Sequence, residues 1–172
     1  MKIFIMRHGE AASIAGEDSL RPLTKQGANE ADKMGQWLAL SKPTIMNIFV
    51  SPYLRAQQTC AFITDALTKA SLISDAELKT LDFITPSGNV SHLHDYLDGI
   101  LQSYDSVMHR SSFNNNQAII LVSHMPFVSY LVAELTGTSN MPIFSTGAIA
   151  AIDYDIKLMQ GQLVTMVSPN EV

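Results

Sequence analysis

The sequence has a single cysteine and no long apolar run, and these two scarcities exclude several classes of protein. Cys60 alone cannot close an intramolecular disulfide, and no set of Cys and His residues has the spacing of a zinc site. The longest apolar stretches, such as residues 118–122, are far shorter than the roughly 20 residues that a membrane-spanning helix needs. The apolar stretch 3–6 ends at Arg7 and is too short for the core of a signal peptide. We therefore expect a cytoplasmic protein without a membrane segment.

Basic residues are also few, with 11 Lys and Arg against 16 Asp and Glu, which gives a net charge of −5. A non-specific nucleic-acid binder would carry a basic excess, so the charge argues against nucleic acid as a partner. Hydrophobic residues make up 47% of the chain, a composition typical of a folded globular protein rather than a disordered one. A chain of 172 residues buries about 70% of its surface on folding, and we expect one domain over residues 1–172.

Short apolar stretches alternate with amphipathic stretches along the chain. Strands are predicted over residues 2–6, 45–50, 77–81, 118–123, 148–153 and 163–167. Their nearly continuous apolar character predicts strands that are buried on both faces of a sheet. Strands that alternate with helices predict a three-layer α/β/α sandwich with a mainly parallel mixed sheet. The last two strands have only a short link and should form a hairpin, so we expect one antiparallel strand.

Four helices are predicted from their boundary residues and apolar stripes. Thr24 is a typical N-cap for a helix that reaches about Leu40. Ser51 and Pro52 are interpreted as the N-cap and first residue of a second helix, which reaches about Lys69. A third amphipathic stripe covers 93–104, and the fourth helix begins at Pro126 and ends at Gly137. The polar stretch 111–117 between the last two helices is predicted to be a loop.

Three predicted strands are followed directly by residues that suit anion chemistry. The first strand is followed by Arg7 and His8, the second by Ser51 with Arg55 close behind, and the fourth by His124. If these strands are parallel, the residues lie together at the carboxyl edge of the sheet, where open α/β sheets bind ligands. Helix N-termini at that edge present unpaired N–H groups, which favour an anion.

The chain has only four arginines, so the position of Arg7 and Arg55 after strands is informative. Arginine contacts phosphate oxygens with two parallel hydrogen bonds, which lysine does not match. Each residue has an ordinary interpretation when taken alone, as a surface loop, an N-cap or a solvated helix residue. The combination of Arg7, Arg55, His8 and His124 at equivalent points predicts a phosphoryl-transfer pocket.

Four ordered segments resemble the histidine phosphatase superfamily, also called phosphoglycerate mutase-like. They are Arg-His-Gly at residues 7–9, Leu-Thr-x-x-Gly at 23–27, Ser-Pro-x-x-Arg-Ala-x-x-Thr at 51–59 and Ser-His at 123–124. Within the superfamily the chain is most similar to SixA-type phosphohistidine phosphatases. Ser123-His124-Met125-Pro126 and Thr85-Pro86-Ser87-Gly88 resemble their versions of these segments, although many superfamily members carry Gly where this chain has Met125.

The resemblance implies a role for each matching residue. His8 would be the nucleophile and form a phosphohistidine intermediate, with one ring nitrogen held by a backbone carbonyl. Arg7 and Arg55 would bind the phosphoryl oxygens, and His124 would donate a hydrogen bond from the opposite side. Three further residues are candidate substrate-binding positions: Arg21, Gly9 and the backbone near Met125. No metal and no cofactor is implied.

Superfamily enzymes that cleave phosphate monoesters use a carboxylic acid to protonate the leaving alkoxide. Asp82 and Glu77 are the candidates for this acid, and neither lies in a convincing family motif. When phosphohistidine is cleaved, the leaving group is an imidazole, which is a better leaving group than an alkoxide. The absence of a convincing acid residue therefore favours phosphohistidine as the substrate. The chain also has no large insertion to cover the pocket. The implied partner is a phosphohistidine-bearing phosphotransfer protein, and a monomer is expected.

Two groups of alternatives stay open from the sequence. One is a phosphatase for small phosphorylated metabolites, with Asp82 or Glu77 as its acid; a mutase would need more cationic groups than the chain has. The other is a phosphate-binding module without turnover, or an interaction protein. Five residues are candidates for an apolar rim around the pocket, although each could also be core: Leu20, Pro22, Tyr53, Met125 and Phe127.

Overall fold

The described residues of the computed structural model are 1–13, 16–73, 76–107 and 116–172. Within them lie six strands and four α-helices that alternate along the chain, as predicted. The strands are β1 Lys2–Arg7, β2 Thr44–Val50, β3 Glu77–Thr80, β4 Gln117–Ser123, β5 Ile149–Asp155 and β6 Gln160–Val167. The helices are α1 Lys25–Leu40, α2 Leu54–Lys69, α3 Val90–Val107 and α4 Phe127–Thr136. Most of the loop predicted over 111–117 lies outside the described residues.

The strands form one sheet in the order β3-β2-β4-β1-β5-β6. The pairs β2–β3, β2–β4 and β1–β4 are parallel, whereas β1–β5 and β5–β6 are antiparallel. Of the six strands in the described part, β5 alone therefore runs against the others. The prediction of a mainly parallel mixed sheet with one antiparallel strand and a terminal hairpin is confirmed. The two edge strands are exceptions to two-sided burial, since all four residues of β3 are exposed and only one of the eight residues of β6 is buried.

Alternation along β1 shows how the helices cover both faces of the sheet. Ile3 and Ile5 belong to a core cluster that includes apolar residues of α3 and α4. Phe4 and Met6 point to the opposite face and join a second cluster with residues of α1 and α2. Successive side chains of a strand project to opposite faces, so a strand that is apolar at every position needs a helical layer on each side. The predicted α/β/α sandwich is confirmed.

Helix ends follow the predicted boundary residues in three cases. Thr24 Oγ1 accepts a hydrogen bond from the Gly27 N–H and caps α1. Pro126 precedes α4, and Gly137 ends it with the left-handed backbone that glycine tolerates. The predicted start of α2 is wrong, because the helix begins at Leu54 and Ser51 does not cap it.

The carboxyl ends of β2, β4 and β1 meet at one edge of the sheet, since these three strands are neighbours. Val50 pairs with Val122, and Arg7 pairs with Ser123. Past the strand ends, the Ser51 and His8 N–H groups donate 3.0 Å hydrogen bonds to the carbonyl oxygens of Val122 and Ser123. The residues that follow these three strands are therefore adjacent. No helix of the described residues is both long and apolar enough to cross a bilayer.

Candidate active site

His8 is held in one orientation by a contact at each ring nitrogen. Its Nδ1 lies 2.7 Å from the carbonyl oxygen of Gly9, and its Nε2 lies 3.1 Å from Nε of Arg55. A carbonyl oxygen only accepts and an arginine Nε–H only donates, so Nδ1 carries the proton and Nε2 carries the lone pair. The backbone carbonyl expected from the sequence is thus that of Gly9. An unprotonated Nε2, whose lone pair here accepts from Arg55, is the feature that a nucleophilic histidine requires.

The surroundings of His8 keep its imidazole neutral. Burial lowers the pKa of His8 to about 4, and the positive charges of Arg55, Arg7 and Arg21 act in the same direction. The hydrogen bond to Gly9 opposes these effects without overcoming them. At neutral pH the ring is therefore neutral, with its proton on Nδ1 and the lone pair of Nε2 available. Burial, more than the arginines, is the main cause.

A close approach between two backbones positions the loop that follows β1. A Cβ added at Gly9 would collide with the carbonyl oxygen of Gly27, and one added at Gly27 would collide with the backbone of Glu10. The Gly9 N–H donates to Thr59 Oγ1 across 3.1 Å, and that hydroxyl donates to the carbonyl oxygen of Arg55 across 2.7 Å. Both backbone polar groups of Gly9 are engaged in holding the loop and His8, and neither is free for a substrate.

His124 faces His8, with ring centroids 5.0 Å apart. Its Nε2 lies 2.7 Å from Ser51 Oγ, while its Nδ1 is buried with no hydrogen-bond partner among the described residues. Burial is the main cause that lowers the pKa of His124 to about 3, and the adjacent His8 ring and the positive charge of Arg55 act in the same direction. If the Ser51 hydroxyl donates to Nε2 of the neutral ring, the proton sits on Nδ1 and is available to an acceptor.

Tyr53 forms one wall of the pocket. Its ring centroid lies 4.9 Å from that of His124 and 4.9 Å from Cζ of Arg55. An aromatic face at this distance attracts a guanidinium and excludes water from one side of it.

Arg7 supplies a second buried donor without a partner. Its Nη1 donates to the carbonyl oxygen of Phe144 across 2.7 Å, but its Nε has no partner within the described chain. Buried polar groups are nearly always paired, because an unpaired donor loses its bonds to water and gains nothing in return. Arg7 Nε and, when it carries the ring proton, His124 Nδ1 are thus two buried donors with no partner among the described residues, and an anion that reached them would satisfy both.

Arg55 is almost fully buried and is held at both ends of its guanidinium. Beyond its contact with His8, its Nη1 donates to the carbonyl oxygen of Asp18 across 2.6 Å, and its Nη2 donates to the Asp18 carboxylate across 3.0 Å. The other carboxylate oxygen of Asp18 accepts from Nη1 of Arg21 across 2.9 Å. Arg21 Nε also donates to the carbonyl oxygen of Ala12 across 2.7 Å. Arg21 therefore reaches the pocket through Asp18.

Neither acid candidate forms a hydrogen bond or ion pair with these pocket residues among the described part of the chain. Glu77 lies opposite Asn47 in the sheet and accepts a hydrogen bond from its side chain, three residues before the end of β2. Asp82 is exposed in the turn after β3, and its side chain has no hydrogen bond or ion pair with another described residue.

Met125 precedes α4 at the edge of the pocket and packs against the core. Its backbone N–H has no acceptor among the described residues, so it is a further donor. Of the five rim candidates, Phe127 is fully buried and belongs to the core. Leu20 and Pro22 are exposed, and Tyr53 is half-buried.

Three residues of the pocket were not assigned a role from the sequence. Asp18 lies in a single 3-10 turn, Asp18–Leu20, three residues before Arg21, which was the only available signal. Thr59 falls in the motif around Arg55 and lies one helical turn after it, so its side chain reaches the same side. Ser51 was interpreted as a helix cap. Across the described residues, no group of three His, Cys, Asp or Glu side chains is arranged to hold a metal ion.

Comparisons with known proteins point to one group. Residues 3–93 match the profile of the histidine phosphatase superfamily, branch 1. The phosphohistidine phosphatase SixA of Escherichia coli K12 is 39% identical over 155 residues, which cover 90% of this chain and 86% of the relative. A SixA homolog of Haemophilus influenzae is 34% identical over 160 residues, which cover 90% of this chain and 89% of that protein.

Solved structures agree in fold. A structure of the protein histidine phosphatase SixA in complex with tungstate superimposes with a TM-score of 0.82 at 38% identity, covering 99% of this chain and 98% of the other. Tungstate is an oxyanion with the tetrahedral shape of phosphate, so it is a suitable probe for the pocket described above.

Proposed function

The chain belongs to the histidine phosphatase superfamily, and from this premise we propose that it is a protein phosphohistidine phosphatase that carries the phosphoryl group on His8. The observation that carries the proposal is the state of His8. Its ring is neutral and fixed, and its Nε2 lone pair lies beside the guanidinium of Arg55.

The reaction would proceed in two displacements at phosphorus. First, Nε2 of His8 bonds to phosphorus, the P–N bond to the substrate imidazole breaks, and that imidazole takes up a proton from solvent and leaves, while His8 keeps its proton on Nδ1. Water then attacks phosphorus, the bond to His8 Nε2 breaks, and inorganic phosphate is released. The intermediate converts one difficult step into two easier ones.

The surrounding donors are placed to neutralise the charge of the transferred group. Arg7 Nε and His124 Nδ1 are buried and have no partner in the described part of the chain, and Arg55 faces His8 Nε2. Donors that are fixed before the reaction stabilise a transition state without reorganising. Arg21 and the Met125 N–H are additional candidates for binding the phosphoryl group.

The carboxylates around the pocket favour phosphohistidine over a phosphate ester. Hydrogen bonds from Arg21 and Arg55 lower the pKa of Asp18, so its carboxylate is ionised and cannot protonate a leaving alkoxide at neutral pH. Glu77 accepts a hydrogen bond from Asn47 instead, and the Asp82 side chain has no hydrogen bond or ion pair with another described residue. An imidazole leaving group depends less on a proton from such an acid than an alkoxide does. The relative from Escherichia coli is a phosphohistidine phosphatase, and that from Haemophilus influenzae is its homolog.

The substrate would be a phosphohistidine on a phosphotransfer protein in the cytoplasm, and the enzyme would act as a monomer. A protein-borne phosphohistidine needs an open pocket with an apolar margin. Leu20 and Pro22 are exposed next to Arg21, and they supply such a margin.

The proposal is tested by phosphate release from two substrates compared side by side. One is a histidine-phosphorylated phosphotransfer domain and the other is a simple aryl phosphate. We expect release from the phosphohistidine protein to exceed release from the ester by at least about 100-fold, because the ester lacks its acid. His8→Asn should abolish it, whereas His92→Asn, which removes an exposed imidazole on α3, should leave it unchanged. A preference for the ester would instead favour a metabolite phosphatase with Asp82 as its acid, and binding of tungstate without any release would favour a phosphate-binding module.

A further inference from the structure

Asp18 connects the catalytic arginine to a second arginine by using both of its carboxylate oxygens. Oδ2 accepts from Arg55 Nη2 across 3.0 Å, and Oδ1 accepts from Arg21 Nη1 across 2.9 Å. Arg21 is itself anchored by the carbonyl oxygen of Ala12. A continuous series of four hydrogen bonds therefore runs from the Ala12 backbone through Arg21, Asp18 and Arg55 to the ring of His8.

The atoms involved show which edge of the Arg55 guanidinium Asp18 occupies. Nη1 and Nη2 both donate to Asp18, one to its backbone carbonyl and one to its carboxylate, so Asp18 lies at the far end of the side chain. The edge that carries Nε–H contacts His8, because Nε donates to its Nε2. A phosphoryl group on His8 Nε2 would meet that edge. Asp18 thus holds Arg55 without occupying the hydrogen bonds that the phosphoryl group would take.

We propose that Asp18 is a positioning residue for Arg55, which fixes the guanidinium edge that faces the phosphoryl group. The catalytic meaning of this inference rests on the proposed function, but the effect of Asp18 on Arg55 does not depend on turnover. Asp18 touches neither His8 nor a reacting atom in this arrangement, so its role is exerted through Arg55.

The chemistry of Asp18 supports positioning rather than acid catalysis. Its carboxylate is paired with two guanidinium groups, which keep it ionised. An arginine has several flexible torsions, and fixing it in advance removes the entropy cost of ordering it during the reaction. Arg55 is buried while Asp18 is partly exposed, so loss of the carboxylate would leave a buried guanidinium with fewer acceptors.

The test compares Asp18→Ala, Asp18→Asn and Asp65→Ala in the full-length protein. Asp65 forms an exposed ion pair with Lys69 on α2, the helix that carries Arg55, so it controls for the loss of a surface carboxylate. We expect Asp18→Ala to lower kcat and tungstate affinity about 10- to 100-fold, the range expected when a hydrogen bond to a charged group is lost. Asp18→Asn keeps an acceptor oxygen for Arg55, so it should recover a large part of kcat and of the tungstate affinity. Asp65→Ala should match the wild type in both quantities.

Measuring Asp18→Ala in an Arg55→Lys background separates an effect of Asp18 that is exerted through Arg55 from one that does not depend on Arg55. Lysine has no Nη atoms for Asp18 to hold, so adding Asp18→Ala to Arg55→Lys should cause little further loss of tungstate affinity. A full additional loss would overturn the inference. Tighter tungstate binding by Asp18→Ala would also overturn it, since Asp18 would then be a competing anion rather than a support.

The two proposals fail in different ways. If the wild type releases no phosphate, the proposed function fails, and the tungstate affinities still decide the role of Asp18. If Asp18→Ala unfolds, the affinity of Asp18→Asn and its comparison with Arg55→Lys carry the decision. Wild-type affinity and kcat in a folded Asp18→Ala would refute the positioning role while leaving the phosphatase assignment intact.

Discussion

The Nε–H of Arg55 donates a hydrogen bond to Nε2 of His8 across 3.1 Å, although the two residues are 47 positions apart in the chain. The lone pair that would attack phosphorus is therefore directed at the guanidinium that would bind the phosphoryl oxygens. When a phosphoryl group occupies Nε2, this donor can move to one of its oxygens. The same arginine thus orients the free nucleophile and stabilises its phosphorylated form.

Arg55→Lys should lower kcat/KM about 100- to 1000-fold, the range found when a fixed transition-state donor is removed. Lysine keeps the positive charge but cannot contact His8 and Asp18 at the same time. Steady-state kinetics with a histidine-phosphorylated protein, together with a thermal unfolding curve, measures the effect. A folded Arg55→Lys protein with near-normal kcat/KM would show that charge alone is sufficient.

Ser51 should control the tautomer of His124. Ser51→Ala removes the hydroxyl that contacts Nε2, and the ring is then free to place its proton on Nε2 instead of Nδ1. We expect kcat to fall about 10-fold, comparable to one lost hydrogen bond. Ser123→Ala is the matched control, because Ser123 is also buried but donates to the carbonyl oxygen of Ile84 rather than to a ring.

Both serine variants should lose some stability, since each removes a buried hydrogen bond. Only Ser51→Ala should lower kcat when the two are compared at equal folded fractions. Equal losses of kcat in both variants would mean that Ser51 acts through packing and not through the ring of His124.

The pH dependence of stability follows from the two buried histidines. In the folded protein the pKa is about 4 for His8 and about 3 for His124, against about 6.5 for histidine in an unfolded chain. Between these values the unfolded chain binds protons that the folded chain does not. The free energy of unfolding should therefore be fully retained above pH 6.5 and decrease as the pH falls towards 4. The two residues together account for a loss on the order of a few kcal/mol over that range.

Urea unfolding at pH 7, 5.5 and 4.5 measures this loss. His124→Asn removes one of the two groups and should flatten the decrease, whereas His92→Asn should retain the wild-type slope. Paired carboxylates such as Asp18 also respond to acid, but they are common to all three proteins and cancel in the comparison. A His124→Asn protein with an unchanged slope would show that His124 is not held neutral by burial.

The sequence predicted the fold and the location of the site for a physical reason. Strands β1, β2 and β4 are largely apolar segments, so their ends are sharply marked by the polar residues that follow, such as Arg7 and Ser51. The three strands with such endings are neighbours in a parallel arrangement, which places those endings together. The catalytic roles of His8, His124 and the arginines remain predictions that the experiments above test.

Two features of the site could not be predicted from the sequence: the contact between Asp18 and Arg55, which depends on the path of a loop, and the partner of the Ser51 hydroxyl. Asp18 meets Arg55 only because the short turn that carries it folds over the start of α2, and no periodic pattern specifies that path. Ser51 before Pro52 is a plausible helix cap by local rules, but His124 approaches from another strand and takes its hydroxyl. Glu77 is a candidate acid by its position in the sequence, but the register of β3 places it opposite Asn47.

Two glycine-to-alanine substitutions should move stability in opposite directions. A Cβ at Gly27 would collide with the backbone of Glu10, which cannot move without displacing the loop that holds His8. We expect Gly27→Ala to lower the free energy of unfolding by about 1–3 kcal/mol, the cost of overpacking, and to reduce phosphatase activity with it. Gly99 lies in α3 with open space around its Cβ position, so Gly99→Ala should raise stability by about 0.5–1 kcal/mol through helix propensity and leave activity unchanged. Urea unfolding of the three proteins decides the point, and a neutral Gly27→Ala would mean that the contact between the β1 loop and α1 is not as close as the structure shows.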